Sequence, residues 1–131
     1  MHFYMTHVRM ANKAAAEQAQ RKLRELGERK LAVNPDNAIT LSRIPYAHLG
    51  EKEKAYAAVE KVLRIDPTDG LTQYNCACTY AVLGEIEMAL SCLKHAMEGG
   101  YKNIREWVKS DPDLVSLRED SNFKAMLAEF G

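Results

Sequence analysis

A repeat of 34 residues constrains the fold of this chain more than any other feature of its sequence. Gly50 recurs as Gly84, and other residues match in the same register. The matched positions are Leu49-Gly50-Glu51 with Leu83-Gly84-Glu85, Tyr46 with Tyr80, Ala55 with Ala89, Val59 with Leu93, Val62 with Ala96 and Leu63 with Met97. A fixed period of this length is typical of helical repeat proteins. We therefore expect the segment 36–99 to hold two copies of one structural unit.

Each unit is predicted to be a pair of short antiparallel helices. Apolar residues recur at helical spacing in both halves of the second unit; they are Cys76, Ala77, Tyr80 and Leu83, then Ala89, Leu93, Ala96 and Met97. Gly84 ends the first helix, because glycine accepts the left-handed conformation at a helix C-terminus. Asp66-Pro67-Thr68-Asp69 ends the hairpin and supplies the next N-cap. Since one hairpin cannot bury both of its faces, hairpins over 37–64 and 70–97 should stack.

These residues resemble the tetratricopeptide repeat family, whose pattern combines a tyrosine, a Leu-Gly turn, an alanine and a late proline. The resemblance covers 36–99, about half of the chain. In the first repeat Ser42-Arg43 stands opposite Cys76-Ala77, where the family prefers small or apolar residues. Pro45 lies inside the predicted first helix, where it should kink the helix at a cost of roughly 3 kcal/mol. The first repeat is also two residues shorter before its glycine than the second.

The N-terminal segment is predicted to be a long helix over 10–33 in the place of the second helix of a preceding repeat. It has an apolar stripe of Ala15, Ala19, Leu23 and Leu26. Seven basic residues face three acidic ones in this segment, and a solvated helix face is favoured over a surface for an acidic partner. Residues 1–8 are too short to assign.

The C-terminal segment should cover the last repeat as a helical cap. We expect a helix over 103–109 presenting Ile104, Trp107 and Val108, then a short helix opened by Asp111-Pro112 with Leu114 and Leu117. A last helix presents Phe123, Met126, Leu127 and Phe130. This segment is similar to the end of the repeat tails of bacterial cyclase and kinase regulators. The predicted all-α short solenoid is one domain, divided into an N-terminal helix (1–35), two repeats (36–69 and 70–100) and a cap (101–131).

Composition excludes several functional classes. The formal net charge is zero, which argues against nonspecific binding of nucleic acid or anionic membranes. No apolar run approaches the roughly 20 residues that a membrane span needs, and Met1–Met10 does not resemble a secretory signal. An odd count of three cysteines argues against a disulfide framework and favours the reducing cytoplasm.

Catalysis and metal binding are weakly indicated. Cys92 and His95 share a helical face at a spacing of three residues, but Cys76 and Cys78 point in different directions on a helix. Packing is therefore favoured over a metal site, and we predict no metal or cofactor. No nucleophile is tied to a base and an acid, and phosphate-binding glycine loops are absent. We predict that the chain is not an enzyme.

The family resemblance implies a concave groove lined by the first helices of the hairpins. The corresponding positions are Asn37, Thr40, Ile44, Ala47, His48, Leu71, Tyr74, Asn75, Cys78, Ala81 and Val82. The alternative is that the cap or the N-terminal helix covers part of this groove. Family members that clamp chaperone tails use lysine, asparagine and arginine here, and only Asn75 matches, since Thr40 and Ile44 replace a lysine and an asparagine.

The predicted function is noncatalytic binding of a peptide or partner protein. A structural oligomerisation unit or regulatory module of a bacterial signalling system is the alternative. We also expect a homodimer through residues 10–33, because the stripe of that helix lacks its partner. The competing possibility is that residues 1–8 fold back over the stripe.

Overall fold

The computed structural model describes the backbone of residues 2–99 and 102–130, and the side chains of residues 12–99 and 103–130. All regular structure in these ranges is helical, with no strand, as predicted. The elements are α1 (His2–Val33), α2 (Ala38–Arg43), α3 (Lys52–Ile65), α4 (Gly70–Leu83), α5 (Ile86–Glu98), α6 (Lys102–Ser110), a 3-10 helix (Pro112–Leu117) and α7 (Ser121–Phe130). Elements α2 and α3 form the first hairpin, and α4 and α5 the second.

The two hairpins close with the same backbone geometry. Gly50 has φ 75° and Gly84 has φ 84°, the left-handed conformation that glycine adopts at low cost. The N–H of Glu51 donates to the carbonyl of Tyr46 at 2.9 Å, and the N–H of Glu85 donates to the carbonyl of Tyr80 at 2.9 Å. Each glycine N–H also donates over 3.1 Å to a carbonyl three residues earlier. The 34-residue sequence repeat is therefore also a repeat of hydrogen bonds.

The first helix of the first hairpin is much shorter than its counterpart. Helix α2 has 6 residues and α4 has 14. Ile44 is extended, with φ −72° and ψ 124°, because the ring of Pro45 disfavours the helical conformation of the residue before it. The prediction that Pro45 kinks a longer helix is wrong, since the helix ends two residues before the proline and a turn leads to Gly50.

The shortening changes the register between the hairpins. Asn37 accepts the N–H of Thr40 at 3.1 Å, and Asp69 accepts the N–H of Thr72 at 2.9 Å. These two N-caps are 32 positions apart, whereas the glycines are 34 apart. The first hairpin therefore lacks two residues between its N-cap and its closing turn.

Arg43 consequently occupies a different position from the one predicted. In the register of the N-caps it corresponds to Asn75, not to the buried Ala77. Arg43 is exposed, whereas Ala77 is fully buried. The prediction that Arg43 fills the position of a small core residue is therefore wrong.

The C-terminal cap, defined here as residues 102–130, packs on the second hairpin. The 3-10 helix lies along α4, and α6 and α7 contact α5. Its side chains join the core of the hairpins: Ile104, Val108, Leu114 and Leu117 are fully buried and Phe123 is 2% exposed. Asp111 and Pro112 open the 3-10 helix as predicted.

Helix α1 contacts the first hairpin near its C-terminal end. A Cβ on Gly27 would lie 2.6 Å from Ile44 Cγ1, so the close approach of α1 needs glycine. Arg24 and Glu51 form an ion pair between α1 and the start of α3.

The apolar stripe of α1 is uncovered. Leu23 and Leu26 are 56% and 44% exposed, and Ala15 and Ala19 are exposed. The backbone continues as one helix from His2, so a fold-back of residues 2–8 is not observed; Met1 and the side chains of residues 2–11 lie outside the described part of the chain.

Among the described helices, none combines the length and the apolar character that crossing a membrane requires.

Candidate binding cleft

A cleft of about 210 Å³ lies where the two hairpins meet the cap. Three elements build it: the end of α2 with the turn after it, one face of α4, and the start of the 3-10 helix. The lining residues are Ser42, Arg43, Ile44, Pro45, Ala47, His48, Tyr74, Asn75, Cys78, Thr79, Asp111 and Asp113.

Helix α4 supplies the floor of the cleft. Tyr74 and Cys78 are one turn apart on its surface, as are Asn75 and Thr79, so all four side chains share one face. The amide Nδ2 of Asn75 donates to Ser42 Oγ at 3.1 Å. Ser42 Oγ in turn donates to the carbonyl of Ile39 at 2.7 Å. This chain of hydrogen bonds joins the first helices of the two hairpins across the cleft.

Asp111 forms the wall on the side of the cap. Its Oδ1 accepts the N–H of Asp113 at 2.9 Å and so caps the 3-10 helix. Its Oδ2 accepts the hydroxyl of Tyr74 at 2.5 Å and lies 3.7 Å from Cys78 Sγ. Its carbonyl accepts from the guanidinium of Arg118 at 2.7 Å. One residue therefore organises the cap and also ties it to the floor of the cleft.

The hydroxyl and thiol beside Asp111 keep their protons. Burial raises the pKa of Tyr74 strongly, and the hydrogen bond to Asp111 adds to this. Burial also raises the pKa of Cys78, and the negative charge of Asp111 adds to it. An anion is unfavourable in such surroundings. Both side chains therefore act as hydrogen-bond donors at neutral pH, and the Cys78 thiol is not an activated nucleophile.

His48 bridges the first hairpin and the cap. Its Nε2 lies 2.9 Å from Asp113 Oδ1. The hydrogen bond to Asp113 raises the pKa of His48, although burial acts in the opposite direction. Protonation of His48 therefore strengthens the link between these two parts of the molecule.

Six of the predicted groove residues meet in the cleft: Ile44, Ala47, His48, Tyr74, Asn75 and Cys78. The other predicted residues lie elsewhere. Asn37 and Thr40 form the N-cap of α2, and Leu71 and Val82 do not line the cleft. Ala81 is buried, and its carbonyl accepts from Ser116 of the cap at 3.2 Å. The C-terminal segment therefore covers part of the groove face, which is the alternative that the sequence left open.

Sequence reasoning missed the other cleft residues for two reasons. Ser42 and Arg43 correspond to Tyr74 and Asn75 once the two-residue shortening is applied to the register, and the proline-to-glycine spacings already carried that signal. Asp111 was predicted to cap a helix, and it does so. Its contact with Tyr74 joins residues 37 positions apart, and no local pattern predicts such a contact.

The other two cysteines belong to the core. Cys76 is fully buried and Cys92 is 4% exposed. Burial is the main cause that raises the pKa of Cys76 to about 12 and that of Cys92 to about 11. All three cysteines are free. His95 is exposed, and both buried thiols suit the packing role that the sequence favoured.

In these ranges the molecule is an all-helical protein of two packed hairpins with a capped second hairpin and a polar cleft between them. No family model matches the chain. It is similar to a protein of Arabidopsis thaliana that is described as chloroplastic, with 33% identity over 90 residues. The match covers 66% of this chain but only 27% of that relative. No solved structure gives a significant match.

Proposed function

We propose that this chain is a noncatalytic interaction module of the tetratricopeptide repeat type, which binds a peptide or a segment of a partner protein in the cleft. The observation that carries the proposal is the construction of the cleft. The first helices of both hairpins line it, and the hydrogen bond from Asn75 to Ser42 connects them.

The repeated geometry of the hairpins supports the assignment to this repeat type. Tyr46 and Tyr80 accept equivalent hydrogen bonds at the turns, and both are buried. Ala55 and Ala89 are 1% and 0% exposed, so each second helix presents a small side chain to the core. Helix α4 also packs on both helices of the first hairpin, which is how neighbouring repeats bury their faces.

The chemistry of the cleft suits a polar peptide. Arg43 lies at its edge, is exposed, and forms no ion pair with the described side chains. Ile44, Pro45 and Ala47 contribute apolar surface beside the polar groups of α4. A bound segment can therefore bury apolar groups and also satisfy a few directional contacts, as ligand sites commonly require.

Selection from a displayed peptide library on the immobilised protein tests this proposal. We expect selected peptides to lose at least about tenfold in affinity with Arg43→Glu, which is about 1.4 kcal/mol. Asn75→Ala should also weaken binding. Arg64→Glu is the matched control, because Arg64 is likewise exposed and lies in the last turn of a helix, but away from the cleft. Failure to select any peptide, or equal losses with Arg43→Glu and Arg64→Glu, would contradict the proposal.

A structural role through self-association is the second candidate, and the exposed stripe of α1 favours it. Leu23 and Leu26 are largely exposed on a helix of 32 residues. A two-fold pairing of this helix with its copy would bury both. Light scattering should show a dimer for the intact chain and a monomer for the Leu23→Glu, Leu26→Glu double variant. A monomeric intact chain at tens of micromolar would rule out this role, and a dimer unchanged by the double variant would place the interface elsewhere.

The cellular context remains a prediction. A reducing compartment agrees with three free cysteines, and the cytoplasm is our proposal. The similar plant protein is described as chloroplastic, so imaging of a tagged chain should compare these two compartments. The proposal of a bacterial signalling context depends on the sequence of the C-terminal cap alone.

A further inference from the structure

Four side chains that commonly bind metal ions meet at the cap end of the cleft. Cys78, Asp111 and Asp113 each present one ligand atom, and these three atoms lie within 4.8 Å of one another. The Nε2 of His48 lies 2.9 Å from Asp113 Oδ1. The residues come from the turn after α2, from α4 and from the start of the 3-10 helix, so the fold assembles the set and no spacing in the sequence predicts it.

We propose that Cys78, Asp111, Asp113 and His48 form a binding site for a divalent transition-metal ion of the zinc class. One sulfur, one imidazole nitrogen and two carboxylate oxygens are the donor types that zinc takes in proteins. A tetrahedral ion at normal bond lengths holds its ligand atoms about 3.4 to 3.8 Å apart. Cys78 Sγ and Asp111 Oδ2 are already 3.7 Å apart, so these atoms need little movement.

Two protons occupy positions that the ion would take. The Cys78 thiol donates to Asp111, and protonated His48 donates to Asp113. Binding of the ion releases the thiol proton and the Nε2 proton to solvent, and forms bonds to a thiolate and a neutral imidazole. No redox step is involved. The resulting site has two carboxylates and one thiolate around a divalent cation, a net charge of minus one, and Arg43 on the same cleft provides a compensating positive charge.

Neighbouring hydrogen bonds hold the ligands in place. Asp111 uses Oδ1 to cap the 3-10 helix, which leaves Oδ2 free to bind through one oxygen. The hydroxyl of Tyr74 donates to that Oδ2. Hydrogen bonds of this kind from outside the ligand set orient ligands and commonly change metal affinity 10- to 100-fold. The site therefore has fixed ligands before any ion binds.

This inference does not depend on the proposed function, because its test measures binding of the metal alone. Co²⁺ is the probe, since a thiolate ligand gives it a near-ultraviolet charge-transfer band and a tetrahedral site gives it visible absorption. Titration of the reduced protein should produce both signals with one equivalent of Co²⁺, and Zn²⁺ should displace it. The absence of the charge-transfer band at saturating Co²⁺ would overturn the proposal.

Substitution of one cysteine at a time assigns the sulfur. Cys78→Ser should abolish the charge-transfer band, whereas Cys92→Ser should retain it. Cys92 is the appropriate control because it is also a buried free cysteine, and because the sequence alone paired it with His95. A band that survives Cys78→Ser at full strength would contradict the assignment.

A histidine pair keeps the test decisive if Cys78→Ser fails to fold. His48 is only about half buried, and His48→Gln should lower the affinity for Co²⁺ more than about tenfold. His95→Gln, at an exposed position, should leave the affinity unchanged. Equal affinities in the two histidine variants would overturn the site as described.

Discussion

The two hairpins follow one sequence plan, yet they differ in the length of their first helices. Both begin with an N-cap side chain, both continue to a buried tyrosine, and both close at a left-handed glycine. Helix α4 has 14 residues and buries eight of them, whereas α2 has 6 and buries three. The closing turn, and not the length of the helix before it, therefore defines the hairpin.

The shortening of α2 also creates one side of the cleft. Because the helix ends at Arg43, the residues from Ile44 to His48 form a turn that faces α4 and the cap. Arg43 then lies beside Asn75 instead of pointing toward the core. The irregular hairpin provides the surface available for binding, and the regular hairpin provides the rigid floor.

Removal of the two equivalent tyrosines should have the largest effect on stability. Tyr80 is 3% exposed, and Tyr80→Ala should cost about 3 to 5 kcal/mol of unfolding free energy through the cavity it leaves. Tyr46 is 8% exposed and packs beside the short helix, so Tyr46→Ala should cost less, about 2 to 3 kcal/mol. Denaturant titration measures both. A larger loss from Tyr46→Ala would reverse our view of which hairpin carries the core.

The closing glycines should show where the hairpins are alike. Space around each Cβ position is open, so alanine adds only the backbone cost of the left-handed conformation, about 1 to 2 kcal/mol. Gly50→Ala and Gly84→Ala should therefore destabilise by similar amounts. Thermal or denaturant unfolding would contradict the shared closure if one substitution proved neutral and the other costly.

Pro45 offers a smaller and more specific test of the difference. A proline inside a helix would cost roughly 3 kcal/mol, and its removal would recover that amount. The structure ends α2 before the proline, so Pro45→Ala should change stability by less than about 1 kcal/mol, with a slight loss through the greater freedom of the unfolded chain. A large gain in unfolding free energy, accompanied by more helix in circular dichroism, would show that the short α2 is imposed by strain.

The bridge between His48 and Asp113 should give the smallest effect, and one that depends on pH. The pKa of His48 is raised above its ordinary value of 6.5 in the folded protein. Its contribution is therefore fully present below pH 6.5 and is lost as pH rises through the higher folded value. His48→Gln should cost about 0.5 kcal/mol or less at pH 5.5, since His48 is partly exposed. A loss that grows with pH would contradict the bridge.

The sequence predicts the repeated part of this fold well because its signals are local. The glycines, the N-cap side chains and the spacing of apolar residues each act within one turn of helix. Asp111-Pro112 likewise predicts the start of the 3-10 helix. These features account for the hairpins and for the helices of the cap.

The parts of the cleft that the sequence did not predict depend on contacts between distant residues. The bonds from Tyr74 to Asp111 and from His48 to Asp113 form only after the cap has packed on α4. The position of Arg43 required a choice between two registers, 32 and 34 residues, and a single sequence favours the register that the glycines repeat. The end of α2 before Pro45 decides this choice physically.

The most direct measurement of the central claim is a map of amide chemical shifts in the ¹⁵N-labelled protein as a selected peptide is added. Binding to the cleft predicts the largest changes at Arg43, Ala47, Asn75 and Thr79, with small changes on the exposed faces of α3 and α5. Changes centred on α3, α5 or the stripe of α1 would contradict the account, because the partner would then bind outside the cleft that the two hairpins and the cap create.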